Sequence, residues 1–201
     1  MKRDCVTIYC ASSSAIDPCF YHDTRRLGTL LAQRNVLIVY GAGKQGLMGC
    51  VADQVLSHGG SAIGIIPQFM VDRDWCHNGL TQLIVTPDMH QRKEKMAALG
   101  KAAIALPGGC GTMEELLEII TWKQLGLYTH PIIILNTAGY YTPLLNMLQN
   151  ALDNHFMRDI HAHLWYVANT PEEVVEALDT VEEWNTTIEK FRIDKTTTTR
   201  Q

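Results

Sequence analysis

The hydrophobic positions of this chain fall into short solid blocks, and between the blocks the spacing switches to that of helices. Val6 to Cys10, Val36 to Tyr40, Ala62 to Ile66, Gln82 to Val85, Ala102 to Leu106, Ile132 to Leu135 and Trp165 to Ala168 each run four or five residues. Blocks so short, bounded by turn residues, read as strands. Ile132 to Leu135 is almost wholly β-branched, as expected for a parallel strand covered on both faces. Between the blocks, Leu27, Leu30 and Leu31 suggest a helix ending near Asn35, and Val51, Val55 and Leu56 a second. Met89 to Gly100 predicts another, carrying Met96, and Leu116, Leu117 and Ile120 mark one that stops at Gly126. Pro143 to Phe156 aligns Leu144, Leu145, Leu148, Ala151 and Leu152 on one side. Pro171 opens a last helix with Val174, Val175 and Leu178 inward. Strand and helix in alternation predict an α/β protein, a three-layer doubly wound Rossmann-like fold with a mostly parallel sheet of about seven strands. Residues 1–184 read as a single domain, and the polar residues 185–201 as a disordered tail.

Ligands in such sheets bind at the carboxyl ends of the strands, so the loops there carry the candidate chemistry. The richest is Leu106-Pro107-Gly108-Gly109-Cys110-Gly111-Thr112-Met113-Glu114-Glu115, with three glycines in four positions after a strand and before a helix. Glycine lets backbone approach a ligand closely, and the first N–H groups of the helix have no partner within it, which together make an anion site. Thr112 and Glu115 also have the T-x-x-E spacing of a capping box, which starts the helix at Thr112 and uses Glu115 to satisfy a backbone donor.

A second glycine loop, Gly41-Ala42-Gly43-Lys44-Gln45-Gly46-Leu47-Met48-Gly49, has the G-x-G-x-x-G spacing. It does not follow the first strand, and the next strand ends in Pro67-Gln68 without an acidic residue for a ribose, so a loop for a smaller phosphate ligand is preferred over a dinucleotide site. Ala11-Ser12-Ser13-Ser14 after the first strand suits a sugar-phosphate pocket, as serine-rich turns also do without ligand. Pro67 to Leu80 reads as an irregular polar loop over the sheet edge. Within it Asp74 is either a contact or a solvated acid. Arg92 and Lys93 sit near the start of a helix, where cations oppose the macrodipole. An anionic ligand, a carboxylate partner or a solvated charged face each accounts for them.

Composition narrows the partners. A formal net charge of −4 and 46% hydrophobic residues fit a compact chain without the basic surface that a nucleic-acid polymer requires. No apolar run is long enough for a membrane span, and the start of the chain leads directly into a strand, so a cytoplasmic protein is expected. The six cysteines form no C-x-x-C pair and read as small buried hydrophobes. Cys110 faces the helix start, where an activated thiolate is a minor alternative. The histidines are dispersed, so no metal site is indicated.

Two motifs occur together here, Pro107-Gly108-Gly109-Cys110-Gly111-Thr112-Met113-Glu114-Glu115 and, upstream, Asp88-Met89-His90-Gln91-Arg92-Lys93. With Cys10 to Ser13, Gly41 to Gly49, His77-Asn78-Gly79-Leu80-Thr81 and Ile119 to Gly126, they resemble the Lonely Guy family of cytokinin riboside 5′-monophosphate phosphoribohydrolases over nearly all of the chain except its tail. The resemblance implies hydrolysis of the N-glycosidic bond of AMP or an N6-modified AMP, releasing base and ribose 5-phosphate without a cofactor. It implies that Arg92 and Glu115 are the catalytic pair and that Lys93, Gly108, Gly109, Gly111, Thr112, Glu114 and Thr121 line the nucleotide site, with Ser13 and Gly43 in the upstream loops. It further implies a homodimer, to which the helix face around Trp122 and Leu125 contributes. Asp74 stands where members tend to have glutamate, and Ala42 where many have glycine. Members have also been labelled possible lysine decarboxylases. Neither motif suggests the Schiff-base lysine and ring-nitrogen partner that such an enzyme needs.

Overall fold

The computed structural model describes residues 4–185, so the expected tail lies outside the described residues except for Asn185. Seven strands are present: β1 Cys5–Tyr9, β2 Leu37–Tyr40, β3 Ala62–Pro67, β4 Gln82–Thr86, β5 Ala103–Ala105, β6 Ile132–Leu135 and β7 Tyr166–Ala168. They form one sheet in the order β4-β3-β2-β1-β5-β6-β7, and every pairing is parallel. The helices are α1 Pro18–Gln33, α2 Gly46–Ser57, α3 Gln68–Val71, α4 Met89–Leu99, α5 Cys110–Gln124, α6 Thr142–Asp153 and α7 Pro171–Thr180.

Residues of the central strands alternate between two cores, whereas the edge strand β4 is largely exposed. Val6, Ile8, Ile38 and Tyr40 join Leu27 and Leu31 of α1, Val51 and Val55 of α2 and Val174 and Leu178 of α7 on one face. Tyr9, Val39, Ile65 and Ile134 join Met96 of α4 and Leu116, Ile119 and Ile120 of α5 on the other. Ile132 to Leu135 is buried along its whole length, and each such side chain contributes roughly 1.5–3 kcal/mol. Helix α6 is more exposed than its leucine spacing suggests and fully buries only Leu152.

Two boundaries depart from the sequence reading. The stretch expected to be irregular after β3 contains the short helix α3. Helix α5 begins at Cys110 rather than Thr112, with Gly109 as its N-cap and no side-chain cap. The capping box does not form: with Gly109 as N-cap, Thr112 lies inside the first turn, and Glu115 hydrogen-bonds Arg92 instead. Helix α4, by contrast, is capped by side chain: Asp88 Oδ1 accepts the Gln91 N–H at 2.9 Å. The first residue of the upstream motif therefore sets where the Arg92 helix begins.

The strand order puts a switch point between β1 and β5, where the chain leaves in opposite directions to α1 and α5. Such a point opens a crevice at the carboxyl edge. The loop from Leu106 to Gly109 lies at this crevice, and its Pro107 carbonyl accepts the Ala11 N–H from the loop after β1 at 3.1 Å.

The N-cap bond holds the Asp88 carboxyl below its ordinary pKa, so its stabilising share is present above the unfolded value near 3.9 and is lost as pH falls through the folded one. Asp88→Ala is expected to lower Tm by about 2–4 °C at pH 7, with the difference shrinking below pH ~4, as thermal denaturation across pH would show.

Candidate active site

Arg92 and Glu115 reach each other across 23 positions of sequence. Arg92 projects from the first turns of α4 and Glu115 from the second turn of α5. Arg92 Nη1 donates to Glu115 Oε1 at 2.9 Å, and the two side chains are only 5% and 7% exposed. Arg92 Nε donates to the Ile65 carbonyl of β3 at 3.1 Å. Burial pushes the Glu115 carboxyl above its ordinary pKa, and the charge of Arg92 pulls it back without cancelling the effect. Of the accounts open for a cation near the α4 start, the carboxylate partner is the one realised. Lys93 behaves alike: its ammonium donates to Glu114, and to Glu118 at 3.1 Å. Burial lowers its pKa, the hydrogen bonds to Glu114 and Glu118 raise it, and the net direction is up.

The two glycine loops differ in what fills them. A Cβ on Gly41 would lie 2.0 Å from Arg92 Nη2, one on Gly43 2.7 Å from Met48 Sδ, one on Gly46 2.5 Å from the Ser13 carbonyl and one on Gly49 2.3 Å from the Lys44 carbonyl. Packing within the chain therefore already calls for small residues at these four positions of the loop. Ala42 within it adopts φ +59°, a region that costs an L-residue roughly 1–2 kcal/mol and suits the glycine of the family pattern.

After β5 the situation reverses. Gly108 abuts Thr112, but a Cβ on Gly109 or on Gly111 would meet nothing within 4 Å, and neither has positive φ. Gly111 also sits inside the first turn of α5, where glycine costs helix stability. The chain's own packing requires neither glycine. Space kept open at a helix N-terminus, over unpaired N–H groups, is what close approach of an anionic ligand needs.

Comparison with known proteins agrees with these motifs. Residues 48–178 match the family described as possible lysine decarboxylase. The cytokinin riboside 5′-monophosphate phosphoribohydrolase LOG5 of Arabidopsis thaliana is 40% identical over 178 residues, 89% of this chain and 77% of that protein. The phosphoribohydrolase of the same name from Rhodococcoides fascians is 41% identical over 153 residues, 76% of this chain and 77% of its own. The chain belongs to the Lonely Guy family. Neither relative carries a decarboxylase in its name. Among solved structures, a molybdenum cofactor carrier protein from Chlamydomonas reinhardtii superposes with TM-score 0.69 at 18% identity, covering 89% of this chain and 97% of that one. The molybdenum cofactor binding protein of Rippkaea orientalis superposes at 0.67 and 18%, covering 90% and 98%. These two share the fold.

Other residues of the Lonely Guy pattern disperse around the central pair. Thr112 is buried against Gly108 as the third residue of α5. Glu114 and Thr121 line an open groove on the outer side of α5 with Cys110, Met113, Leu117 and Trp122, and the Thr121 hydroxyl donates to the Leu117 carbonyl at 2.8 Å. Ser13 is exposed beside Gly46. Asp74 is on the surface at φ +57°, and accepts a 2.6 Å bond from Lys44 rather than joining Arg92. The reading of the cysteines as buried holds for Cys10 and Cys76 alone. Cys5, Cys19 and Cys50 are half-buried, Cys110 is exposed at the first position of α5, and all six are free. Burial pushes the Cys10 thiol up.

Sequence reasoning passed over Ile65, Glu118, Tyr140 and Tyr141. The Tyr140 hydroxyl donates to the Gly108 carbonyl at 2.6 Å and the Tyr141 hydroxyl to the Leu106 carbonyl at 2.7 Å. The available signal was a pair of tyrosines following Gly139 at the carboxyl end of a strand. Ile65 contributes only a backbone oxygen and left none.

Truncating one partner of a buried pair leaves an uncompensated charge, so Arg92→Ala is expected to cost about 3–5 kcal/mol in denaturant unfolding. The double replacement Arg92→Met with Glu115→Leu should recover most of that loss while remaining inactive.

Proposed function

We infer that this chain hydrolyses the N-glycosidic bond of adenosine-type nucleoside 5′-monophosphates to free base and ribose 5-phosphate. The observation that carries the reading is a buried carboxylate, Glu115, fixed by Arg92 one turn beyond an unfilled glycine cradle. Relatives at about 40% identity bear the name of that activity.

The chemistry suits these groups. As the bond from C1′ to the purine nitrogen breaks, the base takes the electron pair and positive charge builds on the ribose. A carboxylate beside C1′ stabilises that charge and orients the attacking water, whose oxygen becomes the new hydroxyl of ribose 5-phosphate while its proton passes to the carboxylate or the departing base. Glu115 has this role. Arg92 holds the carboxylate in position and contacts the substrate's oxygens. The N–H groups at Gly109 to Thr112 take the 5′-phosphate, and Lys93 with Glu114 and Thr121 borders it. Ser13, Gly43 and Asp74 complete the rim.

We also infer a cytoplasmic homodimer. Free thiols support the setting. For the dimer, Leu117, Leu125 and Leu127 are exposed along and just beyond α5, an apolar stretch suited to a second copy. Leu125→Asp is expected to convert a dimeric sedimentation coefficient to a monomeric one.

Incubation with AMP and with N6-isopentenyl-AMP should release free base, measured chromatographically, and Glu115→Gln should lower turnover by about 10²–10⁴. Binding without base release, or full turnover by Glu115→Gln, would overturn the reading. Because burial raises the Glu115 pKa, the acid limb of kcat/KM is expected above the ordinary carboxyl value of about 4.3, with activity lost as pH falls through it.

A further inference from the structure

The turn between β5 and α5 is held by its carbonyl oxygens. Leu106 O accepts from the Tyr141 hydroxyl at 2.7 Å and Gly108 O from the Tyr140 hydroxyl at 2.6 Å. Pro107 O accepts the Ala11 N–H at 3.1 Å, and Gly109 O the Met113 N–H at 3.0 Å. A peptide group is planar and trans, so its C=O and the N–H of the next residue point in opposite directions. Fixing the Pro107 carbonyl therefore aims the Gly108 N–H, and fixing the Gly108 carbonyl aims the Gly109 N–H.

These ties are unequal. Leu106 precedes a proline, which has no N–H to aim, so the Tyr141 bond only anchors the turn. The Pro107 tie comes from the backbone and the Gly109 tie from the helix itself. The Gly108–Gly109 peptide lies between two residues without Cβ atoms and is the least hindered against rotation. Rotated, it would present a carbonyl oxygen to an anion in place of a donor. The Tyr140 hydroxyl is the group that opposes this.

Tyr140 is itself well supported. Its ring meets Phe20 edge-on at 5.7 Å and Tyr141 at 5.2 Å. The preceding turn passes through positive φ at Ala138 and Gly139. Asn136 Oδ1 takes the Tyr141 N–H at 2.7 Å, and the Thr137 hydroxyl donates to Asp23 of α1 at 2.7 Å. The loop after β6 thus delivers two phenol hydroxyls to the turn, Tyr141 to Leu106 O and Tyr140 to Gly108 O.

We propose that Tyr140 is a positioning residue for the anion cradle: its hydroxyl holds the Gly108–Gly109 peptide with the N–H facing the 5′-phosphate of the nucleotide. This rests on the function inferred above. Tyr140 touches no reacting atom, and its effect falls on the phosphate-bearing part of the ligand alone.

Tyr140→Phe keeps the ring contacts and removes the hydroxyl. In the full-length protein with AMP as substrate, the inhibition constant of ribose 5-phosphate is expected to rise about tenfold in Tyr140→Phe, the value for one hydrogen bond, and that of adenine to stay within twofold. KM for AMP should rise with it, while Tm changes little. Equal weakening of ribose 5-phosphate and adenine would show a general structural role and overturn the proposal, as would unchanged constants for both. A wild-type protein that neither hydrolyses AMP nor binds ribose 5-phosphate by calorimetry would instead overturn the function on which the proposal rests.

Discussion

Arg92 and Glu115 form the interaction on which the arrangement depends. Each ion alone would be expensive in the interior, and together they join α4, α5 and the β3 carbonyl into one unit. The neighbouring Lys93 fork to Glu114 and Glu118 repeats the connection between the same two helices nearer solvent. Because the guanidinium occupies the space beside Gly41, the first glycine loop is also shaped by the pair. Remove either ion and helix position, loop conformation and site electrostatics change together.

Much of this was legible in the chain. Short apolar blocks such as Ile132 to Leu135 could only be strands buried on two sides, and the two paired motifs pointed at Arg92 and Glu115 without any knowledge of the fold. What failed did so for identifiable reasons. The T-x-x-E spacing was genuine, but spacing reports which local bond is possible and not which partner wins. Helix α5 began two residues earlier, at Cys110, which put Thr112 inside its first turn, and Glu115 hydrogen-bonds a guanidinium from another helix. The N-cap role of Asp88 was readable from its type and position, yet the motif drew attention to Arg92 instead.

The glycines show a deeper limit. Gly-x-Gly patterns state that something comes close to the backbone without saying what. At Gly43 and Gly46 it is Met48 and the Ser13 carbonyl, while at Gly109 and Gly111 nothing of the chain approaches. Tertiary structure alone shows which glycines have the chain's own atoms against them and which do not. The tyrosine hydroxyls on Leu106 and Gly108 belong to the same class, since their partners are carbonyl oxygens that no residue type advertises.

The burial of Glu115 has a consequence for the timing of energy expenditure. Stripping water from a carboxylate is costly, and the folded chain meets that cost once, when α4 and α5 close over the pair, with Arg92 standing in for the lost hydration shell. On the proposed reading, every arriving nucleotide encounters a charge that is already dry and already oriented. Little solvent needs to reorganise as the ribose becomes cationic, and the repeated step is relieved of work done during folding.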